Sequence, residues 1–399
     1  MKRLLLLGGS RYALPVIKAA HELGHHVITC DYLPGNIAHK YSDEYYNVSI
    51  IEKDAVLEAA KRLKIDGVMS FACDPGVVTA AYVADRLGLP NVGPYESVCI
   101  LQDKGRFRKF LADNGFTVPT AKGYTSIDEA VGDADMFHWP VIVKPTDSAG
   151  SKGVTRVDKL DKLKMAIEHA MNFSHCGQFI VEDFIEKKGF SSDTDSFSVN
   201  GYLKFVSFNS QRFDEKAENP YTPAAYSWPS SMSEAHQKEL ASEIQRLLKL
   251  LNMGTSVYNI ETRESVDGKA YIMEVSPRGG GNRLSECLRY ATGVDLITNA
   301  VRGALGEEVV SVEQKDYDGC WAEVVLHSDM PGVFGGLWIS DALTEAIVEK
   351  DLWVNEGERI GGFSAANEAV GTLVLRFGSQ EELITVMDDI PKHVRVIVK

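Results

Sequence analysis

The run VYNIETRESVDGKAYIMEVSPRGGGN, residues 257–282, constrains this chain more than any other stretch. Two alternating segments flank Asp267-Gly268, a pair suited to a two-residue hairpin turn. Pairing Val266 with Lys269 and counting back sets Glu261 directly opposite Glu274, and Asn259 opposite Ser276. Side chains alternate with period two, so these four share one face while Ile260, Met273 and Val275 point to a core on the other. Two carboxylates opposed on a sheet have Cβ atoms about 5 Å apart and repel. An oxygen-seeking dication such as magnesium offsets that repulsion without any His or Cys. An ordinary solvated sheet face is the competing reading.

A metal on two acids calls for an anionic ligand to share it, and the sequence shows where cations would meet one. Lys144 ends the apolar run Val141-Ile142-Val143, and the loop Ser148-Ala149-Gly150-Ser151-Lys152-Gly153-Val154 follows at once. Small residues let backbone N–H groups approach phosphate oxygens, and hydroxyls and a lysine add donors. The loop is not GxxxxGK[ST], and a glycine-rich loop by itself is more often a plain turn. Phe179–Ile185 is apolar, then half-polar, and could offer backbone groups to an adenine edge, or be a core strand. Gln102-Asp103-Lys104 opens an amphipathic helix, where a lone lysine is usually solvated.

The rest of the chain is consistent with a multidomain enzyme of 399 residues. Residues 1 to about 95 alternate apolar strands (Leu4–Leu7, His26–Cys30, Gly67–Phe71) with helices, an open parallel α/β sheet. Asp54 reads as the N-cap of a helix to Leu63 within it. A hairpin at Asn200-Gly201, a polar, Pro-containing interruption over Asp214–Ser231, and further hairpins and helices follow, and the last 90 or so residues read as a β-rich cap. The expected fold is α/β and α+β: an N-terminal α/β domain over 1–100, a central two-subdomain unit over 101–305, and a β-rich C-terminal domain over 306–399. A net charge of −14 argues against nucleic acid or an anionic membrane as partner. Six cysteines without CxxC spacing suit a reducing compartment. No run approaches the roughly 18 apolar residues of a membrane span, so the chain is expected to be soluble and cytoplasmic; a homodimer is left open.

Taken in order, these motifs resemble the ATP-grasp superfamily over residues 95 to 305. The "DK" lysine is Lys104, the "PVIVKP" lysine is Lys144, and "SAGSKGV" and "VEDFI" follow. Glu261 and "MEVSPR", with Glu274 and Arg278, close the series. The chain looks most like the carboxylate–amine ligase and carbamoyl-phosphate-synthase-like branch. The resemblance implies ATP and Mg2+ as cofactors. Lys104, Lys144 and the loop residues Ser148, Gly150, Ser151, Lys152, Gly153 and Val154 would contact phosphates. Glu182, Asp183, Phe184 and Ile185 would hold adenine, Glu261 and Glu274 would bind metal, and Lys144 and Arg278 would be catalytic. Two departures stand out. The third metal ligand, usually asparagine, is Ser276, and the ribose acid is open between Glu186, Asp193 and Asp195.

The implied reaction joins a small-molecule carboxylate, as its acyl phosphate, to an amine; an amino acid with an amino acid or amino sugar is the expected pairing. It needs positioned charge rather than a protein nucleophile, which agrees with finding no Ser-His-Asp or Cys-His set. Substrate would lie near Asn282 and Arg283, with Gly9 and Ser10 as an anion nest or a plain turn. Purine-type and carbamoyl-phosphate-type chemistry are alternatives within the resemblance, and a non-catalytic nucleotide-binding protein outside it. A nicotinamide oxidoreductase fails because GxGxxG counted from Gly8 meets Ser10 and Ala13.

Overall fold

The computed structural model of the chain describes every residue except Ala149 and Ser151. β1 (Arg3–Leu7) is nearly all leucine because it is the inner strand of a parallel sheet with both faces covered. β2 (His26–Cys30), β3 (Glu44–Tyr46) and β4 (Gly67–Ser70) complete it in the order β3-β2-β1-β4. α1 (Leu14–Glu22) and α2 (Lys53–Leu63) cross between its strands, and α3 (Asp74–Leu87) follows β4. The edge strand β3 escaped the sequence reading because it is three residues long and carries no apolar alternation. Asp54 lies in the first turn of α2, whose N-cap is Glu52, rather than at the cap itself.

α4 (Tyr95–Gln102) and α5 (Lys104–Asp113) lead out of this unit. The Asp103 carboxylate accepts from the Arg106 amide at 2.7 Å and caps α5, which fixes Lys104 as its first residue. β5 (Ala121–Tyr124), β6 (Val141–Pro145), β7 (Thr155–Val157) and β8 (Phe179–Asp183) form an antiparallel sheet in the order β5-β8-β6-β7. α6 (Ile127–Gly132) and α7 (Leu163–Met171) bury Ala130, Leu163, Ile167 and Ala170 against Val141, Val143 and Phe179.

β9 (Ser192–Val199) turns into β10 (Tyr202–Phe205) through Asn200-Gly201, both at positive φ, the turn that Asn-Gly favours. β11 (Ser210–Phe213) and β12 (Pro223–Trp228) follow, then α8 (Glu234–Leu250), capped by Ser233. β13 (Ser256–Glu264) and β14 (Ala270–Ser276) join β9 and β10 in the order β10-β9-β13-β14. α9 (Leu284–Thr292) and α10 (Leu296–Ala304) close this region. The stretch 214–231 was expected to be an irregular interruption, yet it holds β12, whose Tyr226 and Trp228 are buried.

The remainder comprises β15 (Cys320–Leu326), β16 (Gly332–Ile339), β17 (Ile347–Leu352), β18 (Arg359–Ile360), β19 (Gly371–Phe377), α11 (Gln380–Asp388) and β20 (Val394–Val398). One sheet runs β11-β12-β15-β19-β17 and therefore takes strands from both sides of residue 305. Among the described residues, no helix is long and apolar enough to cross a membrane.

The N-terminal unit sits directly on the chain that leaves β14. The Ala72 amide donates to the Gly279 carbonyl at 3.0 Å, and a Cβ on Gly279 would stand 2.2 Å from the Phe71 ring. Gly279→Ala therefore has no room, and overpacking of this kind costs about 1–3 kcal/mol. Urea unfolding of that variant is expected to show a loss in this range; unchanged stability would mean the contact is loose.

Candidate active site

Three neighbouring strands present their polar residues in two rungs. Asp193 of β9, Glu261 of β13 and Glu274 of β14 lie side by side, and Asp195, Asn259 and Ser276 form the next rung. The opposition of Glu261 and Glu274 agrees with the count made on the sequence, but the path to it differs. Ser265 bonds Lys269 across a three-residue turn, Val266-Asp267-Gly268. The pairs up to Thr262 and Ile272 are therefore one residue out of the expected register. A bulge at Met273 restores it before Glu274. Met273 is consequently half-buried instead of in the core, and Ile272 packs there with Ile260 and Val275.

A rung of three carboxylates is costly unless cations answer it. Arg263 Nη2 lies 3.3 Å from Glu261, and Lys104 Nζ lies 3.8 Å from Glu274. Burial, and then the Glu261 charge, push the Asp193 carboxyl up to about 7. Asp193 accepts from Asn259 Nδ2 at 2.8 Å and from Gln211 Nε2 at 3.2 Å. Asp195 is fully buried and accepts from the Gly280 amide at 2.8 Å and from the Ser285 hydroxyl. Gly280 has no space for a Cβ, which would lie 2.6 Å from Leu284 and 2.8 Å from Asn259. Burial pushes Asp195 up to about 6 despite these donors. Two of the three acids left open for a ribose thus share the face of Glu261 and Glu274. The donor set of hard oxygens in one rung fits a magnesium ion.

Ser276 is committed elsewhere. Its hydroxyl donates to Asp74 Oδ1 at 2.8 Å and accepts from Gln102 Nε2 at 2.9 Å. The same Asp74 receives Arg278 through Nε at 2.8 Å and Nη2 at 2.7 Å. Burial alone would raise the Asp74 carboxyl, but the Arg278 guanidinium outweighs it and holds it below the usual range. Asp74 begins α3, where Cys73-Asp74-Pro75 looks like any helix start, so nothing in the sequence marked it.

The cations of the nucleotide motifs converge. Lys104 Nζ donates to the Ser148 carbonyl at 2.9 Å. Lys144 Nζ donates to Glu182 Oε1, and Arg108 Nε donates to Glu182 Oε2 at 2.9 Å. Gly150 and Gly153 have positive φ and Lys152 is exposed. Val154 is half-buried, while Ser151 lies outside the described residues. In the strand-end segment, the Asp183 and Phe184 amides donate to Thr120 and Pro140 carbonyls, and Ile185 offers its carbonyl to Arg263. The Asp183 carboxylate faces His138 instead of a ligand site.

The expected substrate residues divide. Asn282 accepts from the Tyr12 hydroxyl at 2.8 Å and donates to Tyr226 Oη at 3.1 Å, joining three parts of the chain. Arg283 is turned away to Glu286 and Glu349. Gly9 offers its carbonyl to Ala38, and Ser10 is exposed two residues before Tyr12. Tyr12 and Tyr226 were invisible as site residues because isolated tyrosines read as core.

Residues 137–286 match the family model for the ATP-grasp domain. The carbamoyl phosphate synthase large chain of Thermotoga sp. (strain RQ2) is 25% identical over 295 residues, 73% of this chain and 26% of that protein. The chain thus spans about a quarter of the length of that relative. The formate-dependent phosphoribosylglycinamide formyltransferase of Synechococcus sp. (strain WH7803) is 31% identical over 187 residues, 46% of this chain and 48% of that one. Among solved structures, an L-amino acid ligase from Bacillus licheniformis superposes with a TM-score of 0.81 at 19% identity, covering 100% of this chain and 99% of that one. Phosphoribosylglycinamide synthetase from Anaerococcus prevotii gives 0.76 at 24% identity over the whole of both chains.

Removing one partner from a buried ion pair costs about 3 kcal/mol or more, so Asp74→Asn should destabilise the protein by about 3 kcal/mol at neutral pH. The Asp74 contribution is present above the ordinary aspartate range and lost as pH falls through its depressed value. The gap between wild type and variant should therefore shrink on acidification. Denaturant unfolding across pH checks this, and a gap independent of pH would mean that the ion pair contributes nothing.

Proposed function

We propose that this chain, which carries an ATP-grasp domain over residues 137–286, is an ATP- and magnesium-dependent ligase that activates a small-molecule carboxylate as its acyl phosphate and joins it to an amine. The reading rests on one observation above all, the rung of Asp193, Glu261 and Glu274 with Lys104 beside Glu274 and Arg263 beside Glu261. We read residues 1–100, 101–305 and 306–399 as the preceding α/β unit, the grasp and the cap.

Magnesium held by Glu261 and Glu274 would neutralise the terminal phosphates, and in this reading Ser276 is not its ligand. Lys104 and Lys144 would draw phosphate oxygens, with Ser148, Gly150, Lys152, Gly153 and Val154 offering backbone and side-chain donors. The segment Glu182–Ile185 would border the adenine. A carboxylate oxygen attacks the γ-phosphorus and ADP departs with the electron pair of the broken P–O bond. The amine nitrogen then attacks the acyl carbon, and inorganic phosphate leaves carrying one oxygen of the original carboxylate. Arg278, fixed by Asp74 with two guanidinium N–H groups to spare, is placed by this reading beside the transferring phosphoryl group.

The acids near Tyr12 and Tyr226, namely Asp193, Glu286 and Glu323, favour an amine-bearing substrate beside them and Asn282, an amino acid or amino sugar.

Glu274→Gln is expected to keep the fold and abolish magnesium-dependent ADP formation, assayed with pairs of amino acids and amino sugars; full activity would reject the metal role. With the substrate carboxylate labelled with oxygen-18, one label must appear in the released phosphate. Unlabelled phosphate accompanying an amide product would reject the acyl phosphate.

A further inference from the structure

Lys144 and Glu182 alone would cancel. A lysine that contacts phosphate while bonded to a buried carboxylate brings no net charge to its ligand. In this structure a third group alters that sum. Arg108 lies one helical turn beyond Lys104 on α5, and its side chain and that of Glu182 are each only 4% exposed. Its Nε donates to Glu182 Oε2 at 2.9 Å, while Lys144 occupies Oε1. Its Nη1 donates to the Met273 carbonyl at 2.8 Å and lies 3.4 Å from that of Ile272. These carbonyls belong to the bulge that returns Glu274 to its place opposite Glu261. The guanidinium is thus held at both ends, and a planar fork suits that geometry where an ammonium does not.

We infer that Arg108 is the resident counter-ion of Glu182, leaving the charge of Lys144 uncancelled and available to nucleotide phosphate. Arg108 is then a positioning residue, shielded from ligand, acting through Glu182. The inference rests on the reading that nucleotide binds here, and it goes beyond that reading by assigning a role to a buried arginine. With Arg108 present the three side chains sum to one positive charge beside the phosphate loop; without it they sum to zero. Lys144 retains two N–H donors beyond the one given to Glu182, and these are what a phosphate would take. The direction in which Glu182 is shifted agrees. Burial would raise it, but Arg108 first and Lys144 second hold it down at about 2.

The test compares the affinities of magnesium ADP and adenosine by titration calorimetry, because their ratio isolates the contribution of the phosphates. Arg108→Met is expected to lower that ratio by about ten- to hundredfold, the worth of a charged hydrogen bond, with adenosine affinity little changed. Adding Glu182→Gln to Arg108→Met removes the excess anion and is expected to restore most of the ratio. Equal losses for ADP and adenosine in Arg108→Met would overturn the inference in favour of a purely structural role. So would a double variant as poor as the single one. If Arg108→Met does not fold, the neutral Met–Gln pair of the double variant still decides, since a ratio far below wild type there rejects the idea. Failure of the wild-type protein to bind ADP would instead reject the nucleotide reading itself.

Discussion

Asp193, Glu261 and Glu274 stand on adjacent strands of one sheet, each about 5 Å from the next. Two like charges at that separation repel by on the order of 3 kcal/mol near a protein surface. A sheet does not gather three of them in a row without something that answers the charge. Much of the surrounding architecture can be understood as that answer. α5 brings Lys104 to the Glu274 end of the rung, and β13 itself brings Arg263 to its middle acid, Glu261. The two neighbouring polar residues, Asn259 and Gln211, donate to Asp193. The Asp193 carboxyl is nonetheless raised, by burial first and by the Glu261 charge second.

Three cations of the site are each tied to an acid of the chain: Arg278 to Asp74, Lys144 to Glu182, Lys104 to Glu274. In a protein of net charge −14, loose cations would have to be ordered at each binding event, with loss of side-chain entropy. Held by internal carboxylates, they are oriented beforehand, which is the physical content of electrostatic preorganisation. The consequence is that an anion arriving here competes with resident acids, so the charge left over after internal pairing matters more than the number of lysines and arginines.

That distinction explains what the sequence could reveal. The acid pair on the hairpin was legible because period two and a Gly-containing turn define opposition, although a longer turn and a bulge arrived there by cancelling one another. The parallel sheet was legible from its apolar runs, and β9–β10 from Asn200-Gly201. Asp74 and Arg108 were not, since their roles depend on partners 204 and 74 residues away along the chain. Asp193 and Asp195 were noticed only as candidate ribose acids. Only the pairing of β9 with β13 brings them to Asn259 and Glu261. β12 was lost because an irregular, polar approach to it hid six residues of buried strand.

The segment after Arg278 carries the remaining constraint. Asn282 and Arg283 are consecutive non-glycine residues at positive φ, 49° and 58°. Asparagine tolerates that region through its short polar side chain, whereas arginine does not. Such strain, about 1 kcal/mol or more per residue, persists only where the surroundings over-determine it. Here they do: Tyr12 and Tyr226 grip the two ends of the Asn282 amide, and Glu286 and Glu349 hold Arg283. Those partners come from the first sheet's β1–α1 loop, from β12, from α9 and from β17, so a shift in any of them would release the turn. The turn therefore joins regions distant in sequence within a few residues of Arg278. The same segment reaches the acidic face as well, since the Gly280 amide and the Ser285 hydroxyl both donate to Asp195, so the strained turn and the acids are held by one short stretch of chain.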